Sequence, residues 1–184
     1  MDSILIRTLN GEKTNRPPVW FMRQAGRILP NYMQLKESYT FHELMNDKDL
    51  ASKVTLLPIQ DLNVDAAILF SDILVIPHAL GLDVEFKKTG PIFNNPLNFN
   101  SKAADLEFDS SKLNYIYNNI KQVQSDKNQN TPLIGFCGGP LTVFLFMFKR
   151  EGSKDHMKKA IKYLYENREE SNCLLYTSDA ADDL

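Results

Sequence analysis

The chain has 184 residues, 43% hydrophobic and 24% charged, proportions that suit a globular protein able to bury a core without disulfide or metal staples. Its 21 basic and 23 acidic side chains give a net charge of −2, which excludes a broadly basic nucleic-acid binder and a polybasic membrane-surface protein. Two cysteines, Cys137 and Cys173, exclude a disulfide scaffold and point to a reducing compartment. With no transmembrane-length apolar run and no signal-peptide pattern, a soluble cytoplasmic protein is expected.

Pro18-Val-Trp-Phe-Met22 is an apolar run after two prolines and predicts a buried strand. Gln24-Ala-Gly-Arg27 follows as a loop, with Gly26 available for an unusual backbone angle. Pro30 opens a helix over Asn31–Lys36. Leu50, Val54, Leu57 and Leu62 have helical spacing within 47–62, and Pro58 predicts a kink or break there. Asp65-Ala-Ala-Ile-Leu-Phe70 predicts a strand buried on both faces, as a parallel sheet requires. Ile73–Leu80 reads as a short helix ended by Gly81, and Leu82–Phe86 as a strand with one wet face. A long loop or hairpin insertion fills 90–110, and Ser111 caps a helix running to Lys127.

Pro132-Leu-Ile-Gly-Phe136 is a third buried strand, Cys137-Gly-Gly-Pro140 a glycine turn, and Leu141–Phe148 an apolar helix closed by Lys149-Arg-Glu and Gly152. A last helix covers 154–170. Alternating strands and helices argue a parallel α/β fold, the start of a β/α barrel. A whole barrel takes about 250 residues, so this chain is too short to close one. Residues 173–184 are small and acidic, with Asp179, Asp182 and Asp183 and no basic side chain, and are expected to be a non-native or disordered tail. Residues 1–172 are then part of one domain.

Several residues could carry chemistry. Arg23 and Arg27 in one tight segment could form two carboxylate or phosphate forks, or simply solvate a helix start. Asp72 stands at the C-terminal end of a predicted strand, the active face of a barrel, yet it or Ser71 could equally cap the next helix. Gly135-Phe-Cys-Gly-Gly-Pro140 lacks the spacing of a phosphate loop, and its glycines suit close backbone approach. Phe136 could be a flat wall for an aromatic ligand or a core residue; Cys137 is most simply a small buried side chain. His42, His78 and His156 lack ligand spacing, so no metal site is expected. The aromatics do not interleave with basic residues, so no nucleic-acid partner is expected.

Three segments carry a resemblance. Pro17-Pro-Val-Trp-Phe-Met-Arg-Gln-Ala-Gly-Arg-Ile-Leu-Pro-Asn-Tyr32 closely resembles the first signature of the uroporphyrinogen decarboxylase family. Ala66-Ala-Ile-Leu-Phe-Ser-Asp-Ile-Leu-Val-Ile-Pro77 resembles that family's aspartate segment, and Leu133-Ile-Gly-Phe-Cys-Gly-Gly-Pro-Leu-Thr142 its second signature. All three stand in the family's order over residues 1–172. The resemblance implies an α/β fold, the N-terminal and incomplete portion of a (β/α)8 TIM-type barrel. It implies cofactor-free removal of CO2 from the four acetate arms of uroporphyrinogen III, giving coproporphyrinogen III in haem and tetrapyrrole synthesis.

Carried over by motif, Arg23 and Arg27 would hold peripheral carboxylates, and Asp72 would accept the converging pyrrole N–H groups. Arg23 would assist proton delivery, relayed by water or a substrate carboxyl. Gln24, Ala25 and Gly26 would shape the loop, while Phe70 and Phe136 would line the apolar floor. Phe146 stands where the family has a substrate-contacting tyrosine, so one hydroxyl contact is lost. The family's later serine contact and C-terminal histidine fall beyond this sequence. The chain is therefore expected to be an inactive, poorly folded fragment of an enzyme that is a homodimer at full length and has no membrane partner. Two other readings stay open: a non-catalytic porphyrinogen-binding half barrel assembled as a dimer, and a related barrel methyltransferase, against which the intact Arg23–Arg27 loop argues.

Overall fold

A computed structural model describes residues 3–87 and 90–179. In chain order the elements begin with helices α1 (Ile4–Leu9), α2 (Pro30–Ser38), α3 (Phe41–Asn46) and α4 (Lys48–Leu62). Strand β1 (Ala67–Ile68), helix α5 (Val75–Ala79) and strands β2 (Val84–Lys87) and β3 (Gly90–Phe93) follow. Then come α6 (Asn114–Asp126), β4 (Leu133–Ile134), α7 (Pro140–Met147), α8 (His156–Glu166) and α9 (Arg168–Asp179). The chain divides into two units, one of Met1–Ser71 with Asn114–Phe136 and one of Asp72–Leu113 with Cys137–Leu184.

In the first unit the local chemistry sets the helix starts. Thr40 and Glu43 cap α3 reciprocally, and the Asp47 carboxylate accepts the Asp49 and Leu50 amides at the start of α4. Pro58 lies inside α4 without ending it, so the expected break is absent. Its missing hydrogen bond is offset by packing, since Val54, Leu57 and Pro58 are all buried. Helix α4 packs on α6, where the Ser52 hydroxyl donates to Asp126 at 2.7 Å. Strands β1 and β4 pair in parallel, Ala67 opposite Leu133 and Ile68 opposite Ile134. Ala66, Ala67, Leu69 and Phe70 are all buried, as a strand covered on both faces must be.

The run Pro18–Met22 departs from expectation. It is neither a paired strand nor buried: Trp20, Phe21 and Met22 are exposed. A backbone bond to β1's approach runs from the Asp65 amide to the Val19 carbonyl, 2.8 Å. Apolar character does not bring burial here, because the side chains of Asp65 and Gln24 take the Val19 and Phe21 amides and fix the segment. The run Pro132–Phe136 also shortens to two paired residues, with Gly135 and Phe136 exposed.

In the second unit β2 and β3 form an antiparallel hairpin with Val84 opposite Phe93. Leu82 and Phe93 share one core cluster with Phe144 and Met147 of α7, Phe148 after it, Tyr163 of α8 and Leu174 of α9. Gly81, at φ 90°, ends the α5 turn as anticipated. The predicted helix over 154–170 is two helices, broken at Asn167. The start of α6 is a 3-10 turn over Ser110–Leu113, led by Asp109, which accepts both the Ser111 amide and hydroxyl; Ser111 is not the cap. Residues 173–179, set apart as a tail, form the second part of α9, and Leu174 is 1% exposed in the core. The rest of the expected tail, 180–184, lies outside the described residues. Among the described residues no helix is long and apolar enough to cross a membrane.

Candidate active site

The arginine-bearing loop belongs to the first unit and is held by two fastenings on adjacent residues. Arg16 grips Asp65 with both guanidinium nitrogens, at 2.6 and 2.7 Å. The same carboxylate accepts the Val19 amide at 2.7 Å. The Arg16 guanidinium, helped by that amide, holds the Asp65 carboxyl below the usual carboxylate range. The second fastening is Gln24, 3% exposed. Its side-chain oxygen accepts the Phe21 amide at 3.1 Å, and its side-chain nitrogen donates to the Ala66 carbonyl at 2.8 Å.

Between and after these fastenings the backbone turns sharply. Arg23 has φ 59°, the left-handed region that costs an L-residue about 1 kcal/mol or more. Gly26 is needed for a different reason than expected. Its φ is not positive, but a Cβ there would stand 2.9 Å from the Arg23 carbonyl oxygen. Arg23 and Arg27 are both exposed, and among the described residues neither has an ion-pair partner. Two guanidiniums on a fixed loop with no acid to neutralise them are suited to anionic ligands. Ala25 between them is half-buried.

Phe70 is given to the core. It is 7% exposed, edge-on to Tyr32 of α2 at 6.0 Å and to Phe41 of α3 at 5.3 Å. Its amide donates to the buried Thr55 hydroxyl of α4. Little of its ring is exposed, and it supports the end of β1. Phe136 is the reverse case: 46% exposed just after β4, it is no core residue and offers a flat apolar face. Cys137, expected to be buried, is exposed.

Asp72 and Phe146 belong to the second unit. Asp72 follows β1 by four residues in the chain, and its carboxylate accepts the Leu74 amide at 2.7 Å in the turn before α5; the helix N-cap is Leu74, without a side-chain cap bond, so Asp72 is not the cap. Burial pushes the Asp72 carboxyl above the usual range, and the single Leu74 bond offsets this only in part. Such a carboxyl gains most from additional N–H donors. Its neighbour Ile73 is fitted against Gly138: a Cβ on Gly138 would overlap Val143 Cγ2 and lie 3.0 Å from Ile73 Cβ. The glycine turn therefore serves close packing beside Asp72. Phe146 is half-buried against the core of this unit, with the Lys149 ammonium 5.5 Å from its ring centre.

The residues that reading the sequence missed are Arg16, Asp65 and Thr55. Arg16 and Asp65 stand 49 positions apart, and no spacing rule joins them. The one available signal was an acid set directly before an apolar strand. Among the described residues no group of three or more His, Cys, Asp or Glu could hold a metal ion.

A sequence model described as uroporphyrinogen decarboxylase matches residues 2–180. The uroporphyrinogen decarboxylase of Christiangramia forsetii is 40% identical over 177 residues, covering 95% of this chain and 52% of its own. That of Campylobacter jejuni strain 81-176 is 46% identical over 156 residues, covering 83% and 46%. The chain thus spans about half the length of the curated relatives it matches. A methyltransferase from Methanosarcina mazei superposes with a TM-score of 0.69 over 98% of this chain and 53% of its own, at 15% identity. That likeness concerns the fold alone: with the parallel β1–β4 pair, it marks the chain as part of a (β/α)8 barrel.

Proposed function

Because the chain belongs to the uroporphyrinogen decarboxylase family, we propose that it serves the decarboxylation of the four acetate arms of uroporphyrinogen III to coproporphyrinogen III. The observation that carries this reading is the fastened loop with two exposed, acid-free arginines at 23 and 27. A porphyrinogen with eight carboxylates is the kind of ligand that such a loop recognises by charge-assisted forks.

The chemistry needs no cofactor, since the pyrrole is its own electron sink. A proton adds to the ring carbon next to the one that bears the acetate arm, leaving a cationic ring whose charge is shared by the arm-bearing carbon. The bond to the carboxylate carbon then breaks, CO2 leaves, and its electron pair returns to the ring through the exocyclic carbon. That carbon takes a proton and the ring proton departs, so each arm exchanges CO2 for one proton and becomes a methyl group.

Asp72 would accept the pyrrole N–H groups and offset the developing positive charge. Burial favours its neutral form, so the incoming N–H donors would draw it to the ionised form as substrate binds. Arg23 would assist proton delivery through water or a substrate carboxyl, because a guanidinium does not itself release a proton near neutrality. Gln24, Ala25 and Gly26 shape the loop, Phe136 supplies an apolar face, and Phe146 stands where a tyrosine hydroxyl is otherwise expected. We place the working protein in the cytoplasm as a homodimer, without membrane or nucleic-acid partners, and residues 1–172 in one barrel domain.

Titrating the chain with uroporphyrin, followed by porphyrin fluorescence, tests the reading. Binding should weaken with salt, weaken again in Arg27→Gln, and exceed binding of the four-carboxylate coproporphyrin. Absence of binding, or equal affinity in Arg27→Gln, overturns it.

A further inference from the structure

We propose that Arg16 and Asp65 are a positioning pair for the arginine loop, pinning its leading segment to the approach of β1 so that Arg23 and Arg27 stand at a fixed spacing. The inference rests on the reading of Arg23 and Arg27 as carboxylate-binding groups, and it assigns a role to two residues that touch no ligand themselves.

The geometry is that of a two-point mount. The first point is Asp65. It takes two guanidinium bonds from Arg16, takes the Val19 amide, and gives its own amide to the Val19 carbonyl. The second point is the next residue, Ala66, whose carbonyl receives Gln24. Val19 and Gln24 are thus tied to neighbouring residues of one strand approach, while Trp20, Phe21 and Met22 between them are exposed and make no sheet. With Trp20 43%, Phe21 53% and Met22 81% exposed, none of the three is a core residue, and the polar bonds at Asp65 and Gln24 fix the path of the stretch. With one point removed, the loop would pivot about Gln24 alone.

The pair is better built than an ordinary surface bridge. It is bidentate, and the Asp65 side chain is only 12% exposed although that of Arg16 is 49%. Its carboxylate also satisfies a backbone amide, so both oxygens accept hydrogen bonds, Oδ2 two and Oδ1 one. Those features suit fixing a geometry. A ligand meeting guanidiniums already in place loses less freedom on binding than one that must order them.

Asp65→Asn removes the charge while keeping the size, and Arg16→Gln removes the fork. Amide hydrogen exchange would be read at Val19 and across 21–29, with α4 and α6 as internal reference and a urea midpoint as the measure of global stability. The expected result is exchange about tenfold faster at Val19 and in the loop for both variants, with reference amides unchanged. Uroporphyrin affinity should fall about three- to tenfold, and Arg16→Lys should recover part of both losses. Unchanged exchange at Val19 and 21–29 overturns the pair as a mount. Faster exchange with undiminished uroporphyrin affinity overturns its positioning role. A wild-type chain that does not bind uroporphyrin overturns the carboxylate-binding reading and the pair's purpose with it, while the exchange data still report separately whether the mount exists.

Discussion

Arg23 offers a test in which stability and binding move in opposite directions. Its φ of 59° places an L-residue where glycine is at ease, at a cost of about 1 kcal/mol or more. Arg23→Gly relieves that strain but adds freedom to the unfolded chain, worth about 0.4–1 kcal/mol against folding. The net change should lie between zero and about 1 kcal/mol of stabilisation. Arg23→Ala keeps the strain, so the glycine variant should exceed the alanine variant by several tenths of a kcal/mol to about 1 kcal/mol. At exposed Lys53, inside α4, the order should invert, with glycine about 1 kcal/mol below alanine. Urea unfolding followed by circular dichroism measures all four variants. Both Arg23 variants should lose the same uroporphyrin affinity, about tenfold to a hundredfold, as expected for one charge-assisted fork worth about 1.5–3 kcal/mol. An alanine variant as stable as or more stable than the glycine variant would refute the strained loop. A glycine variant that binds far worse than the alanine variant would show that loop order matters more than the guanidinium.

Other expectations follow from neighbouring features. Asp72→Asn keeps an acceptor for the Leu74 amide and removes a carboxyl whose folded pKa is raised, so it should stabilise the chain at pH 7. That gain should vanish as pH falls and the wild-type group protonates; a gain that persists at pH 3 would contradict burial as the cause. Asp65 has the opposite sign: its depressed folded pKa stabilises the chain above the ordinary carboxylate range and is lost on acidification through the folded value. The gap between wild type and Asp65→Asn in urea midpoint should therefore close on acidification. Gly138→Ala should cost about 1–3 kcal/mol, because the added methyl has no space between Val143 and Ile73; calorimetry would show it as a lowered Tm. Leu174→Ala should cost about 2–5 kcal/mol in urea unfolding, and a cost near zero would refute the packing of α9 in the core.

What could be read in advance was whatever depends on near neighbours in the chain. Pro30 opening α2, Gly81 closing the α5 turn and the buried run before Asp72 all rest on propensities and periodicities within a few residues. The arginine pair was visible because its residues are close in sequence. What escaped was set by partners far along the chain. Pro18–Met22 looks like a buried strand, and nothing in its own residues reveals that Asp65 and Gln24 hold it exposed. Nothing in the residues next to Phe70 reveals that Tyr32 and Phe41 pack edge-on against it. Gly26 drew attention as the flexible residue, whereas the unusual angle fell on Arg23, whose conformation follows from how both ends of the loop are tied. Asn167 carries no strong stop signal, so two helices read as one.

Gln24 imitates a peptide unit. Its amide has the same acceptor and donor as a main-chain group, and it offers them to Phe21 and Ala66 as a neighbouring strand would. No other side chain is a simple replacement: glutamate lacks the donor, and asparagine is one methylene too short to reach both partners. In a saturation survey of residues 19–29, the position least tolerant of change would depend on what is selected. Selection for folded protein would hold Gln24, Gly26 and buried Leu29, favour glycine at 23, and leave Arg27 nearly open to substitution. Selection for porphyrin binding would close Arg23 and Arg27 as well. The loop thus carries two separable alphabets, one for shape and one for charge, interleaved at consecutive positions.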